Sequence, residues 1–541
     1  MKDRSTAFTG LVLVLAGFLI GLAAGWLRVP ETGSARRGAQ PGESRPRFLV
    51  IGIDGGEWRV IRRLWAEGKL PHLKSLADRG ASATLRTAYN SSPVIWTTIA
   101  TGVVPDVHGI TDFVVPTPQG DVPISSTLRK VPALWNMLTT ARRRVGVFGW
   151  WGSWPAEEIN GVVVTDRALF DLPGRVSPDS YLPRFLDDVQ SARRDPGRFR
   201  TTLEPELRDL ALARSAGRLA QTEDLDLLLV YFRSVDIVSH NEWRYYEPVA
   251  FPPIDPAVLA AHRDRVPEIY EAVDEEIGRL LAACPGMNVV VLSDHGFHAA
   301  KGEEVKVLLD LDVLLEKLGY LTRTSPSGGV DFARTRLYAY SSPPHRRAKL
   351  VRFSLAGREP GGTVQPAERE ALRQALAADL AAVTYDSGAP VFRIREARPR
   401  AAEDGADFIV AILPEGATPG LLLRGERLDG VLQSVSRISG THTLSTHGIL
   451  IAAGPDIDPD ARLDGIGIHD IAPTLLYGLG LPVAEDFAGQ AWAPLFRSEL
   501  RQRQPLRRIP TWGQREQGGR ARTSTADQKL LDELRSLGYI N

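Results

Sequence analysis

A chain of 541 residues exceeds one ordinary domain, although a single large α/β core carrying an insertion also accommodates it. Apolar residues make up 43% and charged residues 24%, an ordinary globular balance with ample material for a core. Lysine plus arginine equals aspartate plus glutamate at 65 each, so no overall field points to a nucleic-acid-binding surface.

The single cysteine, Cys284, excludes an intrachain disulfide and a multi-cysteine metal centre. It lies in the apolar run LLAACPGMNVVVL and reads as a small buried hydrophobe.

At the N-terminus, residues 7–27 (AFTGLVLVLAGFLIGLAAGWL) form an uncharged run, long enough for a helix of about 20 residues to cross about 30 Å of hydrocarbon. Residues 1–27 therefore read as a transmembrane anchor or as a signal segment, with LAAG at 22–25 as a cleavage site. Basic residues flank the run on both sides, so charge asymmetry sets no orientation. Either reading puts the main domain outside the cytoplasmic membrane, on the periplasmic or extracellular side. Residues 28–46 are rich in Pro, Gly, Ser and Arg and read as a flexible linker.

Ordered structure is expected from RFLVIGID at 47–54, a short apolar run ending on an acid. The same design recurs in DLLLVYFRSVD at 226–236 and MNVVVLSDHG at 287–296, and THGILIAAGPDI at 446–457 reads as a fourth core strand. Continuous apolar runs mark buried parallel strands, whose C-terminal ends are where α/β proteins place ligands. Amphipathic helices alternate with them, as in RVPEIYEAVDEEIGRLLAAC. The fold class expected is therefore α/β: a central, mostly parallel sheet with helices on both faces.

Residues 47–300 and 437–500 are assigned to that core, and 301–436, with one amphipathic helix among mixed short strands, to an inserted α+β cap subdomain. Residues 501–541 form a C-terminal tail. Its polar stretch after Arg497 reads as loose, followed by a short amphipathic helix, KLLDELRSLGYI, able to dock back.

Chemistry-bearing residues collect where the strands end. Asp54 follows the first strand, Asp236 and His240 the second, and Asp294 and His295 the third. Asp236 and His240 are spaced to share one face of a helical turn. His442 and His447, in GTHTLSTHG, precede the fourth strand. One strand-end aspartate is ordinarily a cap or turn former; the joint pattern of oxygen and imidazole donors points instead to a two-metal site. The stretch YNSSPVIWTTIATG at 89–102 crowds Ser91, Ser92, Thr97, Thr98 and Thr101 together. Alone, it fits either a capped, hydroxyl-decorated helix or a nucleophile with supporting neighbours. His72, His108, His262, His298, His345 and His469 fit structural roles, His108 packing behind the hydroxyl segment; for His298, close to the ligands, a supporting or substrate contact is the alternative.

These motifs, with KLPHLKSLADRG, GTHT and DIAPTLLYGLGLPVAEDFAG, resemble the alkaline phosphatase superfamily, in its type I phosphodiesterase/nucleotide pyrophosphatase branch, over roughly residues 47–497. The resemblance implies a hydrolase of phosphate esters, foremost phosphodiesters. It would work through a phosphoseryl intermediate with two divalent metal ions, zinc or alternatively manganese or iron. Asp54, Asp294 and His295 match the ligands of one metal, together with the nucleophile. Asp236, His240 and a late histidine match the other. His442, followed by Thr443 and six residues before Gly448, suits the late position better than His447. The family's nucleophile lies nine residues before the Thr of the TG pair and four before the Trp. Both counts lead to Ser92, leaving Thr97, Thr98 and Thr101 as helix and packing hydroxyls.

Departures bear on substrate. Relatives that cleave nucleotides carry an Asn after HGI, where this chain has Phe113. Arg358 in GREPGG reads either as a phosphate contact from the insertion or as a turn residue. A phosphomonoesterase or phosphotransferase acting on lipid or envelope glycan headgroups is the alternative enzyme. A sulfatase is disfavoured because Ile95 stands where its C/S-x-P-x-R motif needs Arg, and a non-catalytic scaffold because every ligand position is filled.

Overall fold

The computed structural model describes residues 45–540, apart from 118–119, 326–328, 341–347, 398–405, 414–419, 517 and 537–538. The anchor-or-signal segment and almost all of the linker lie outside the described residues. Among the described residues no helix is long and apolar enough to cross a membrane.

The core of Pro46–Asn541 is an eight-stranded sheet. Its strands are β1 (Phe48–Ile53), β2 (Ala81–Leu85), β3 (Val145–Phe148), β4 (Gly161–Val164), β5 (Val176–Ser177), β6 (Leu227–Phe232), β7 (Asn288–Leu292) and β8 (Gly448–Ala453). They lie in the order β2–β8–β7–β1–β6–β3–β4–β5. From β7 to β4 the strands are parallel. β8 runs antiparallel to both β7 and β2, and β5 antiparallel to β4. The expected mostly parallel α/β sheet is what the chain forms.

Every residue of β1, β6, β7 and β8 is buried, as continuous apolar runs require when helices cover both faces. Alternation along each strand divides the core in two. Leu49, Ile51, Leu228 and Val230 join helices Arg265–Ala283 and Glu204–Thr222 on one face. Phe48, Val50, Leu227 and Leu229 join Trp96, Leu134 and Leu475 on the other.

Topology then gathers the site. β7, β1 and β6 are neighbours, so the aspartates following them emerge side by side at one edge. β8 is antiparallel to β7, with Leu450 opposite Leu292, so the chain entering β8 arrives at that same edge. Leu85 of β2 pairs with Gly448, which brings the chain leaving β2 there too.

Residues 298–441 leave and return through an antiparallel ribbon, His298–Leu309 with Leu432–Thr441. Beyond it, strands Leu337–Tyr340, Ala348–Phe353, Phe408–Ile412 and Phe392–Glu396 form a separate sheet. This sheet packs with helix Arg369–Ala381 around its own core, including Leu372, Leu376, Val351 and Phe408.

The reading of the tail as loose needs correction. Ile509 pairs with Ala484, and Arg515 bonds the Arg129 carbonyl (3.0 Å) and Glu157 (2.7 Å). Thr127 and Arg520 exchange bonds of 2.7 and 3.2 Å. Polar residues lead the composition because guanidinium groups and backbone hydrogen bonds hold this strap, with little apolar burial. The expected docking helix is present as Asp527–Ser536, with Leu531 and Leu534 buried against Phe113 and Val114.

Candidate active site

Ser92 opens α1 (Ser92–Thr101), a helix buried along its whole length. Extended Ser91 precedes it and Pro93 lies in its first turn, where a missing N–H costs no intrahelical bond. Trp96 anchors the helix edge-on to Trp150 (5.1 Å) and Tyr231 (5.0 Å), while Trp150 Nε1 donates to the Trp96 carbonyl at 3.1 Å. The threonines read from the sequence as helix hydroxyls behave so. Thr97, Thr98 and Thr101 donate to the carbonyls of Pro93, Val94 and Thr97. His108 sits behind them, with Nε2 3.1 Å from Thr98 Oγ1.

Ser92 Oγ lies 3.4 Å from Asp54 Oδ1 and 3.4 Å from His295 Nε2. Asp54 leaves β1 through Gly55, whose φ of 69° and close approach to Phe297 both demand glycine. Its other oxygen, Oδ2, accepts from the Tyr231 hydroxyl and faces Trp151 Nε1 at 3.4 Å. Asp294 Oδ1 accepts from the Gly55 N–H at 3.2 Å, and its Oδ2 lies 3.4 Å from His295 Nε2.

Asp236 and His240 stand one turn apart on α2 (Ser234–Tyr246), with Oδ1 and Nε2 3.4 Å from each other. Asp209 Oδ2 accepts from the N–H groups of Arg233 and Ser234, which pins the start of this helix. The His442 ring stacks on His295 at 3.5 Å and lies 5.6 Å from His240.

The structure thus brings together Ser92, Asp54, Asp236, His240, Asp294, His295 and His442. Donor atoms within 4.8 Å of one another form two groups, Asp236/His240/His442 and Asp54/Asp236/His295. Asp236 belongs to both, whereas the resemblance assigns it to one metal and pairs Asp54 with Asp294. His447 lies outside both groups, where its Nδ1 accepts from the Thr87 N–H at 3.4 Å. His298 turns Nδ1 to the Ala299 carbonyl, and Arg358 is engaged by Glu359 and Asp407 within the insertion, as a turn residue would be.

These residues fit divalent cations. Nδ1 of His240 meets the Gly440 carbonyl and Nδ1 of His295 the Gly296 carbonyl, each at 2.9 Å. A carbonyl only accepts, so each Nδ1 bears the proton and each Nε2 turns a lone pair inward. Buried His240 Nε2, Asp236 Oδ1 and Asp294 Oδ2 have no hydrogen-bond partner. Facing lone pairs without a donor between them are costly unless a cation neutralises them.

Charge says the same. Burial, then Asp294 and Asp236 nearby, raises the Asp54 carboxyl well above its usual range. Burial likewise lifts Asp294 to about 7. Positive charge among them would reverse that cost.

Sequence reading missed Tyr231, Trp151 and Tyr539. Tyr231 had a signal: a tyrosine within an otherwise wholly apolar buried strand must find a partner for its hydroxyl. Tyr539 Oη donates to Asp236 Oδ2 from a separation of 303 residues, with no local pattern to announce it.

Among solved structures, murine ectonucleotide pyrophosphatase/phosphodiesterase 5, as an inactive variant in complex with AMP, is 14% identical with a TM-score of 0.45. The alignment covers 84% of this chain and 100% of that one. The human counterpart gives 14% and 0.46 over the same shares. No curated protein matches the sequence. The family described as type I phosphodiesterase/nucleotide pyrophosphatase matches residues 48–409. The chain therefore belongs to the type I phosphodiesterase/nucleotide pyrophosphatase family of the alkaline phosphatase superfamily and is a phosphoric ester hydrolase.

Proposed function

We propose that this hydrolase cleaves phosphodiesters through a phosphoseryl intermediate on Ser92, at a site holding two divalent metal ions, zinc foremost. The observation that carries the reading is Ser92 Oγ at a helix N-terminus, 3.4 Å from both Asp54 Oδ1 and His295 Nε2.

Asp54, Asp294 and His295 would hold one ion and Asp236, His240 and His442 the other, with Asp236 near enough to touch both. When bound, the ions supply the charge that favours the serine alkoxide and offsets phosphoryl oxygens. Ser92 Oγ attacks phosphorus as the bond to the leaving alkoxide breaks, and water then cleaves the Ser92–phosphate ester. Throughout, the positive end of α1 faces the developing negative charge. Tyr231 and Trp151 hold Asp54 Oδ2, keeping Oδ1 toward the serine.

We read residues 301–436 as a cap bearing on the substrate. The apolar segment 7–27 supports export or anchoring, with catalysis on the outer side of the membrane.

Rates on bis-p-nitrophenyl phosphate, p-nitrophenyl phosphate and p-nitrophenyl sulfate test the reading. The diester should be fastest. A clear preference for the monoester or the sulfate would replace the phosphodiesterase assignment.

A further inference from the structure

The segment after residue 526 reaches into the site through Tyr539. Helix α3 (Asp527–Ser536) is latched by two ion pairs to buried arginines: Asp527 with Arg167 at 3.2 Å, and Glu533 with Arg233 at 2.7 Å. Arg233 immediately precedes the helix that carries Asp236 and His240. After α3 the Tyr539 N–H returns to the Leu534 carbonyl at 2.9 Å, which turns the last residues inward. Tyr539 and Ile540 are 6% and 3% exposed, so this segment is packed against the core.

The Tyr539 ring is held on two sides. It stacks on Phe113 with centroids 4.6 Å apart and planes 11° from parallel. The His240 ring meets it edge-on at 5.3 Å. So held, its hydroxyl donates to Asp236 Oδ2. The other oxygen, Oδ1, has no hydrogen-bond partner and lies 3.4 Å from His240 Nε2 and 3.8 Å from His295 Nε2.

We infer that Tyr539 is a positioning residue for the metal site: its hydroxyl occupies one oxygen of Asp236 and turns the other toward the histidines. Rotation of a carboxylate decides whether it offers one oxygen or two, and a hydrogen bond to one oxygen removes that freedom. Phe113, the departure noted after HGI, serves here as the seat of the tyrosine ring. The proposal rests on the metal-dependent reading above.

Tyr539→Phe in the full chain keeps the stack and deletes only the hydroxyl. Zinc affinity, measured by competition with a chromophoric chelator, should weaken by about 10- to 100-fold, the usual effect of losing a partner that orients a metal ligand. Turnover of bis-p-nitrophenyl phosphate should fall at limiting zinc and recover as zinc is raised. Deleting the hydroxyl also unpairs buried Asp236 Oδ2, so the unfolding midpoint of metal-free protein should fall modestly; it is the recovery of turnover at high zinc that a merely structural tyrosine would not predict. Glu533→Gln, remote from the donor atoms, should weaken zinc binding in the same direction by loosening the latch.

Asp236→Asn separates the two readings. Wild-type zinc binding by Asp236→Asn would overturn the metal site itself. Loss there, with Tyr539→Phe binding zinc as wild type does, would overturn only the positioning role. Faster turnover in Tyr539→Phe would also overturn it, since the tail would then be obstructing the site.

Discussion

The rim of the Trp96 ring packs directly against Gly52: a Cβ on that glycine would come within 2.7 Å of Trp96 Cη2. Gly52 is two residues from Asp54, and Trp96 is one helical turn from Ser92, so this contact sets the distance between the helix that opens on Ser92 and the strand that leads to Asp54. Gly52→Ala is therefore expected to push α1 outward. The cost should be about 1–3 kcal/mol of stability, read from the urea midpoint, with turnover reduced by more than 10-fold. Trp96→Phe in the same chain should recover part of both losses. Strictly additive effects would show that the two residues are not coupled.

Ser92→Ala should lower turnover by at least about 10³-fold, since Thr97 and Thr101 are committed to helix carbonyls and Ser91, whose Oγ has no hydrogen-bond partner, sits on the extended residue before the helix. Metal content, measured on the same preparation, should persist. Retained turnover would move the nucleophile to Ser91 or Thr97.

The two late histidines can be told apart. His442 stacks on His295 and belongs to the donor group of Asp236 and His240, while His447 accepts a backbone N–H away from both groups. His442→Ala should lose one equivalent of bound zinc and at least about 100-fold in turnover. His447→Ala should keep its metal. The reverse pattern would exchange their roles.

His108 makes stability depend on pH through a group remote from the donor atoms. Its Nδ1 accepts from the Ile110 N–H at 3.1 Å, so the neutral ring donates from Nε2 to Thr98 Oγ1. Burial first, then the charges of Arg129 and His469, lowers its pKa to about 3. The unfolded chain therefore binds this proton more readily than the folded one. The stability is fully present above about pH 6.5 and is lost as pH falls from there toward 3, by up to about 1.4 kcal/mol per unit. Between pH 6.5 and 5 the wild type should lose about 2 kcal/mol more than His108→Gln, both followed by urea unfolding. Parallel curves would exclude His108 as the source.

Much of the site was legible because its determinants are local. Burying a parallel sheet on both faces demands unbroken apolar runs, so an acid at the end of FLVIGI, or two residues beyond VVVL, stands out against them. Asp236 and His240 share a helical face by spacing alone, and Ser92 is placed by counts within one helix. The loop carrying His442 meets those residues only because β8 enters the sheet antiparallel, a direction that its apolar run does not encode.

The tail shows the opposite limit. RSELRQRQPLRRIPTWGQREQGGRARTSTADQ has no apolar periodicity, and its order comes from pairing Arg515 with Glu157 and Asp527 with Arg167, partners hundreds of residues away. By itself the sequence determined the strands and singled out the strand-end aspartates and the serine, because periodicity and short spacings act within a few turns of chain. Only the tertiary structure decided that Tyr539 returns to Asp236, because that bond spans 303 residues and depends on the packing of everything between.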